Sequence, residues 1–352
     1  MTLSQARMKL VTFRIASRDR AGLVVHESGK AWILDLARGL AWLERRANRP
    51  FDPEHVIKRY GRGVLGFVRR ADAARPAAEE LVHLWSAGHL PRVFDGKALS
   101  YALSEVALRA PLPRPRSLRD GYAFRQHVET ARKNRGLDMI PEFDLFPVFY
   151  FGNHRSIVGP GDVAVQTAHL DRLDYELEAA IVIGRGGKNL TASAADDAIF
   201  GMTIMNDWSA RALQAQEMKL NLGPAKGKDF ATSLGPWLVT VDELLARTTR
   251  DARRGLVFEM NMRASVNGEP LSRGNLKDMT WTFAQIVERA SYGVELAAGD
   301  IVGSGTCGTG CLLELNGVGP GENQWLKPGD EVVLEIDGLG RLENRIVLGG
   351  EH

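Results

Sequence analysis

The chain has 352 residues, 44% of them hydrophobic and 25% charged, with a formal net charge of +2. That length exceeds one small domain and suits two, and the composition supports a large buried core. Lys and Arg barely outnumber the acids and no block of like charge occurs, which argues against a nucleic acid or a membrane surface as partner.

The first residues, MTLSQARMKLVTFR, lack the apolar core of a secretory signal. Their arginines leave a transit peptide open, but Met8–Arg14 reads as the first strand of a fold, so a cytoplasmic protein is expected. No stretch approaches the ~20 apolar residues of a membrane span. Residues 8–35 alternate apolar and polar side chains between Gly22 and Gly29, the pattern of a short strand meander. Residues 37–48 and 76–87 carry helical apolar spacing, as at Leu81, Leu84 and Trp85. Residues 1–110 are therefore read as a small α/β domain. Pro111, Pro113 and Pro115 then exclude a helix or an inner strand, so 111–115 is read as an extended linker.

Residues 116–352 form the second predicted domain. Strand-like runs dominate it: Ala179–Ile183, Pro236–Thr240, Leu256–Asn261, Asp300–Ser304, Leu312–Leu315 and Glu331–Ile336. Helices are predicted at roughly 193–200, 208–217 and 281–291. Such a series suggests a closed or sandwiched β architecture with helices packed outside. The two cysteines, Cys307 and Cys311, lie in a Gly-rich stretch. With no further Cys/His pair nearby they are read as free thiols in a reducing compartment.

Candidate chemistry begins at Leu173-Asp174-Tyr175-Glu176-Leu177-Glu178, which runs into an apolar strand. Side chains alternate faces along a strand, so Glu176 and Glu178 point the same way. Burying two carboxylates together costs several kcal/mol per ion unless a counter-charge is present. A hard divalent cation supplies one; a solvated sheet edge would need none. Farther on, Met205-Asn206-Asp207-Trp208-Ser209-Ala210-Arg211 runs from strand into helix. Asp207, Arg211 and Gln214 at i, i+4 and i+7 would share one helix face, which suits a metal and an anionic substrate, although taken alone the spacing fits an N-cap and a surface ion pair better. Glu314, inside the run Leu312-Leu313-Glu314-Leu315, needs a polar partner if that run is a buried strand.

These segments, with Leu222–Trp237 and Gly303-Ser304-Gly305-Thr306, occur in an order and spacing that resembles the fumarylacetoacetate hydrolase family across residues 116–337. The resemblance implies an α+β, mostly β fold: a small N-terminal α/β domain followed by a mixed β-sandwich or β-roll catalytic domain. It implies a divalent metal (Mg²⁺, Mn²⁺ or Ca²⁺) held by Asp120, Glu176, Glu178 and Asp207. His127 would be the general base, oriented by Glu314, and Lys228 would act at the substrate carbonyl. Tyr150, Arg211, Gln214 and Thr306 match substrate-binding positions. Where fumarylacetoacetases place an arginine nine residues after the histidine, Gly136 stands here, with Arg135 before it.

The reaction expected from the resemblance is metal-dependent hydrolysis of a carbon–carbon bond in a 1,3-diketo acid of the fumarylacetoacetate, fumarylpyruvate or acylpyruvate type. Related members of the family decarboxylate or isomerise oxo-dioic acids on the same site. A non-catalytic keto-acid-binding protein is a third reading. The resemblance also implies a homodimer.

Overall fold

The computed structural model describes residues 8–49, 53–134, 136–316 and 324–350; Arg135 lies outside them. Among the described residues, a twelve-stranded sheet draws its strands from both halves of the chain, from Lys9–Ile15 to Ile301–Gly303. Its N-terminal part is the expected meander, Lys9–Ile15, Arg18–Glu27 and Lys30–Asp35, paired antiparallel. The sheet does not stop at the proline-rich segment. Lys9 and Leu10 pair with Val239 and Leu238 of the strand Thr232–Thr240. From there the order is Ile199–Asp207, Leu177–Ile183, Ile301–Gly303, Leu118–Gly121 and Phe149–Gly152. Residues 111–115 carry neither helix nor strand, yet they are packed against the sheet. Leu112 is buried, and the Pro111 carbonyl accepts the Thr12 hydroxyl at 2.8 Å.

Leu177–Ile183 explains the layering. Every residue of this strand is buried, so both faces are covered. Ala179, Ile181 and Ile183 join a core with Met262, Leu334, Leu342 and Ile346 of a second, five-stranded sheet. Ala180 and Val182, on the opposite face, join a core with Leu40, Phe67 and Leu81 of the N-terminal helices. The sheet is therefore sandwiched, with a second sheet below and helices above. Helix Leu36–Arg46 follows directly from its sequence. The Asp35 carboxylate accepts the Arg38 amide at 3.1 Å, Leu36, Leu40 and Leu43 are buried, and Arg45 and Arg46 close the C-terminus.

Several expectations change. The helices Pro53–Tyr60 and Gly63–Arg69 were not foreseen; Gly61 and Gly63, both at positive φ, interrupt the apolar spacing between them. The helix expected at 208–217 is Arg211–Met218. Asp207 instead ends a strand, paired with Thr232, and Ser209 and Ala210 pair with Asp174 and Leu173. The one-face helical argument linking Asp207 to Arg211 and Gln214 therefore fails. The run Leu256–Asn261 divides between two strands, Gly255–Phe258 and Asn261–Val266. Leu312–Leu315 is a four-residue helix, not a strand. The Asp174 carboxylate accepts the Leu312 and Leu313 amides, at 2.7 and 3.0 Å, and so caps that helix from outside.

Candidate functional site

Sheet register brings the carboxylates together. Glu178 pairs with Met205, two residues before Asp207 on the same strand. Ala180 pairs with Gly303, and Gly303 with Asp120. Paired residues, and residues two apart, share a face, so Asp120, Glu178 and Asp207 project from one face of the sheet. Tyr150 pairs with Asp120 and projects with them. Gly303 makes the room: a Cβ there would sit 2.3 Å from Asp120 Oδ1 and 2.3 Å from Met205 Cε.

Glu176 precedes the strand, and one oxygen each of Asp120, Glu176 and Glu178 lie within 4.8 Å of one another. Lys228 Nζ donates to Asp207 Oδ2 at 2.7 Å and to Glu176 Oε2. Tyr150 donates its hydroxyl to Asp207 Oδ2 at 2.5 Å. Arg211 donates from Nε to Asp174 and from a terminal nitrogen to Glu176, both at 2.8 Å, and from the other to Gln214 Oε1 at 3.1 Å. Thr306 donates to Glu178 Oε1 at 3.3 Å. Gly305 N–H donates to Asp120 Oδ1 at 3.1 Å. Asp120, Asp174, Glu176, Glu178 and Asp207 are buried acids facing two buried cations, Lys228 and Arg211.

This imbalance shows in the titration of the acids. Burial, reinforced by Asp207, pushes Asp120 up to about 8. Burial beside Asp120 and Glu176 drives Glu178 well above the carboxylate range. Burial also raises Asp207, though Lys228 opposes it. Glu176 is the exception: burial would raise it, but Lys228, Arg211 and His127 hold it at about 2. Glu178 Oε2 is buried without a hydrogen-bond partner. Clustered oxygen donors, surplus negative charge and an orphaned carboxylate oxygen fit a hard divalent cation.

A second group stands beside the first. His127, on helix Arg125–Lys133, joins its Nδ1 to Glu314 Oε1. The other Glu314 oxygen accepts the Thr309 amide at 3.0 Å. Both side chains are buried, and Tyr122 lies edge-on to the imidazole with ring centroids 5.6 Å apart. The Nδ1–carboxylate bond fixes the proton on Nδ1 and leaves Nε2 basic.

All eleven residues singled out in the sequence thus fall into two adjoining sets. Asp120, Tyr150, Glu176, Glu178, Asp207, Arg211, Gln214, Lys228 and Thr306 surround the carboxylates, while His127 and Glu314 form the pair. Three contributors went unassigned. Asp174 holds Arg211 and caps the Glu314 helix; its alternation with Glu176 and Glu178 was a readable signal. Asn206 accepts the Glu176 amide at 2.9 Å. Glu217 accepts the amides of Ala225, Lys226 and Gly227, at 2.8, 2.6 and 3.1 Å, and so shapes the turn before Lys228. A separate cleft of about 530 Å³ lies between the N-terminal helices and residues 196–200. Two ion pairs line it, Arg75–Asp242 at 2.9 Å and Arg250–Asp196 at 3.0 Å.

Residues 116–347 match the family model described as fumarylacetoacetate (FAA) hydrolase C-terminal. The chain is 32% identical over 253 residues to the oxaloacetate tautomerase YisK of Bacillus subtilis, covering 70% of this chain and 75% of that one. It is 30% identical over 318 residues to the fumarylacetoacetase of Mus musculus, covering 74% and 75%. Its fold matches the crystal structure of maleylpyruvate hydrolase from Sphingobium sp. SYK-6 in complex with manganese(II) ion and pyruvate. That match has a TM-score of 0.64 at 19% identity and covers 97% of this chain and all of the other. The family model spans well over half of the sequence, and the chain belongs to the fumarylacetoacetate hydrolase family.

Proposed function

We propose that this protein is a divalent-metal-dependent hydrolase that cleaves a carbon–carbon bond in a 1,3-diketo acid. The carrying observation is the buried His127–Glu314 pair beside the carboxylate cluster: Asp174 caps the Glu314 helix and accepts from the same Arg211 that holds Glu176. Asp120, Glu176, Glu178 and Asp207 would hold the cation; manganese(II) in the maleylpyruvate hydrolase neighbour supports a divalent ion. When bound, the ion would polarise the two oxygens of a diketo acid and stabilise the enolate that departs.

The chain's own groups do the rest. His127, its Nδ1 tied to Glu314, takes a proton from water at Nε2 and so delivers hydroxide to the carbonyl carbon. Lys228 uses two of its three N–H bonds on Glu176 and Asp207. The third serves the substrate oxygen or the departing carbanion. The Arg211 guanidinium is committed to Asp174, Glu176 and Gln214. Its part is to fix Glu176 and to turn the Gln214 amide nitrogen towards the substrate.

The tautomerase relative favours a second reading, proton transfer or decarboxylation of an oxo-dioic acid on the same cluster. A panel of acylpyruvates, fumarylacetoacetate and oxaloacetate, assayed with Mg²⁺ or Mn²⁺, separates the two. The hydrolase reading expects two acid fragments per turnover and loss of turnover with a chelator. Release of CO₂, or keto–enol equilibration without cleavage, would establish the second reading. No turnover at all would leave a keto-acid-binding protein. A homodimer is part of the same proposal, and light scattering at the mass of one 38.7 kDa chain would refute it.

A further inference from the structure

His127 and Glu314 have a third neighbour that the hydrolytic reading does not use. Cys311 N-caps the short helix Leu312–Leu315, and its Sγ lies 3.8 Å from Glu314 Oε1. One ligand atom each of His127, Cys311 and Glu314 lie within 4.8 Å of one another, and all three residues are buried. Cys307, four residues earlier, is also buried but is not in this group.

We propose that His127, Cys311 and Glu314 form a second cation site, selective for a thiophilic divalent ion such as Zn²⁺ or Cd²⁺ and inhibitory when filled. The donor set differs in kind from the carboxylate centre. Four carboxylates suit hard ions such as Mg²⁺, Mn²⁺ and Ca²⁺, whereas sulfur, imidazole nitrogen and one carboxylate suit zinc. Donors on a zinc tetrahedron stand roughly 3.3–3.8 Å apart at bond lengths of about 2.0–2.3 Å. The Cys311–Glu314 separation already has that value, the His127–Glu314 contact must open, and all three donors lie within 4.8 Å of one another. Three protein ligands are the number zinc takes when water holds the fourth position. Thiolate, carboxylate and a divalent cation sum to zero charge beside a neutral imidazole, which a buried site tolerates best.

Inhibition follows from the tautomer and rests on the role proposed for His127. A cation on Nδ1 displaces the proton that Glu314 holds there. The imidazole then carries its proton on Nε2, and that nitrogen no longer accepts one from water. The thiol proton of Cys311 leaves to solvent.

The test uses the full-length protein with the carboxylate centre saturated by Mg²⁺. Cd²⁺ titration, followed by thiolate-to-metal charge-transfer absorption, should saturate at one equivalent, and Zn²⁺ should displace the signal. The signal should disappear in Cys311→Ser and persist in Cys307→Ser. Turnover should fall in step with occupancy, and Cys311→Ser should need about tenfold or more Zn²⁺ for half-inhibition relative to its own uninhibited rate. No signal in the native protein, or a signal that survives Cys311→Ser, overturns the site. A saturated signal with undiminished turnover overturns its inhibitory role. The absorption arm needs no turnover, so failure of the hydrolase reading and failure of this site are distinguishable.

Discussion

The carboxylate centre stands on neighbouring strands of one sheet, whereas His127 and Glu314 stand on two short helices beside it. Strand register brings Asp120, Glu178 and Asp207 to one face, and the cluster remains electrostatically incomplete, with Glu178 Oε2 unpartnered. The His127–Glu314 pair is complete in itself: each Glu314 oxygen has a donor, and the bond to Nδ1 leaves one basic nitrogen. A site that lacks a charge calls for a ligand, and a site that lacks nothing is already poised. Removal of the cation from the carboxylates should therefore disturb the first region and leave the second intact, while mutation of the pair should spare Mg²⁺ binding by the carboxylates.

The largest effect is expected at the pair. His127→Gln should lower kcat by about 10²–10⁴-fold, the usual worth of a general base, while the Mg²⁺ content of the carboxylate centre, measured by elemental analysis, stays at the native level. Full turnover in that variant would remove the base from the mechanism. Glu178→Gln should act the other way round. It takes one ligand charge from the cluster and should weaken Mg²⁺ binding by about 100-fold or more, read as loss of the Mg²⁺-dependent rise in Tm. Because it also relieves repulsion, the metal-free variant should be more stable than the metal-free native protein.

Gly303→Ala probes the space that holds Asp120. The added methyl meets Asp120 Oδ1 and Met205 Cε at 2.3 Å, so about 1–3 kcal/mol of stability should be lost. Mg²⁺ affinity should fall while His127 reactivity towards diethylpyrocarbonate is unchanged; native affinity would mean that the sheet yields without moving the carboxylate. The smallest effect is the pH dependence of the chelated protein. Asp120 is raised from 3.8 to about 8 in the fold, so its contribution is fully present below about pH 4 and is lost as pH rises to about 8. The Tm of the chelated protein should fall by a few degrees over that range, and saturating Mg²⁺ should remove the slope. A Tm that rises with pH in chelator would show that the cluster is not short of positive charge.

Much of the site was legible because its residues lie in short local patterns. The spacing of Glu176 and Glu178 marked both for one cluster, which both reach although Glu176 lies before the strand, and an acid flanked by leucines at Glu314 announces a buried partner. Local pattern also misled. The leucine run around Glu314 fits a strand as well as a four-residue helix, and Asp174, 138 positions away from Leu312, decided for the helix. Asp207 was read as a helix residue because the ladder to Thr232 that keeps it in a strand is invisible locally. The proline-rich segment was read as an extended linker; it carries neither helix nor strand, and it is packed, with Leu112 buried and the Pro111 carbonyl accepting from Thr12.

By itself the sequence determined which residue types would be brought to chemistry, since carboxylates cannot be buried in numbers, or a histidine beside one, without a reason that the pattern reveals. Only the tertiary structure decided which of them meet. Asp120, Glu178 and Asp207 are separated by tens of residues and joined by sheet register. His127 and Glu314 are 187 positions apart and joined by one hydrogen bond. Contacts of that span depend on how whole strands pair and pack, and no local preference encodes them.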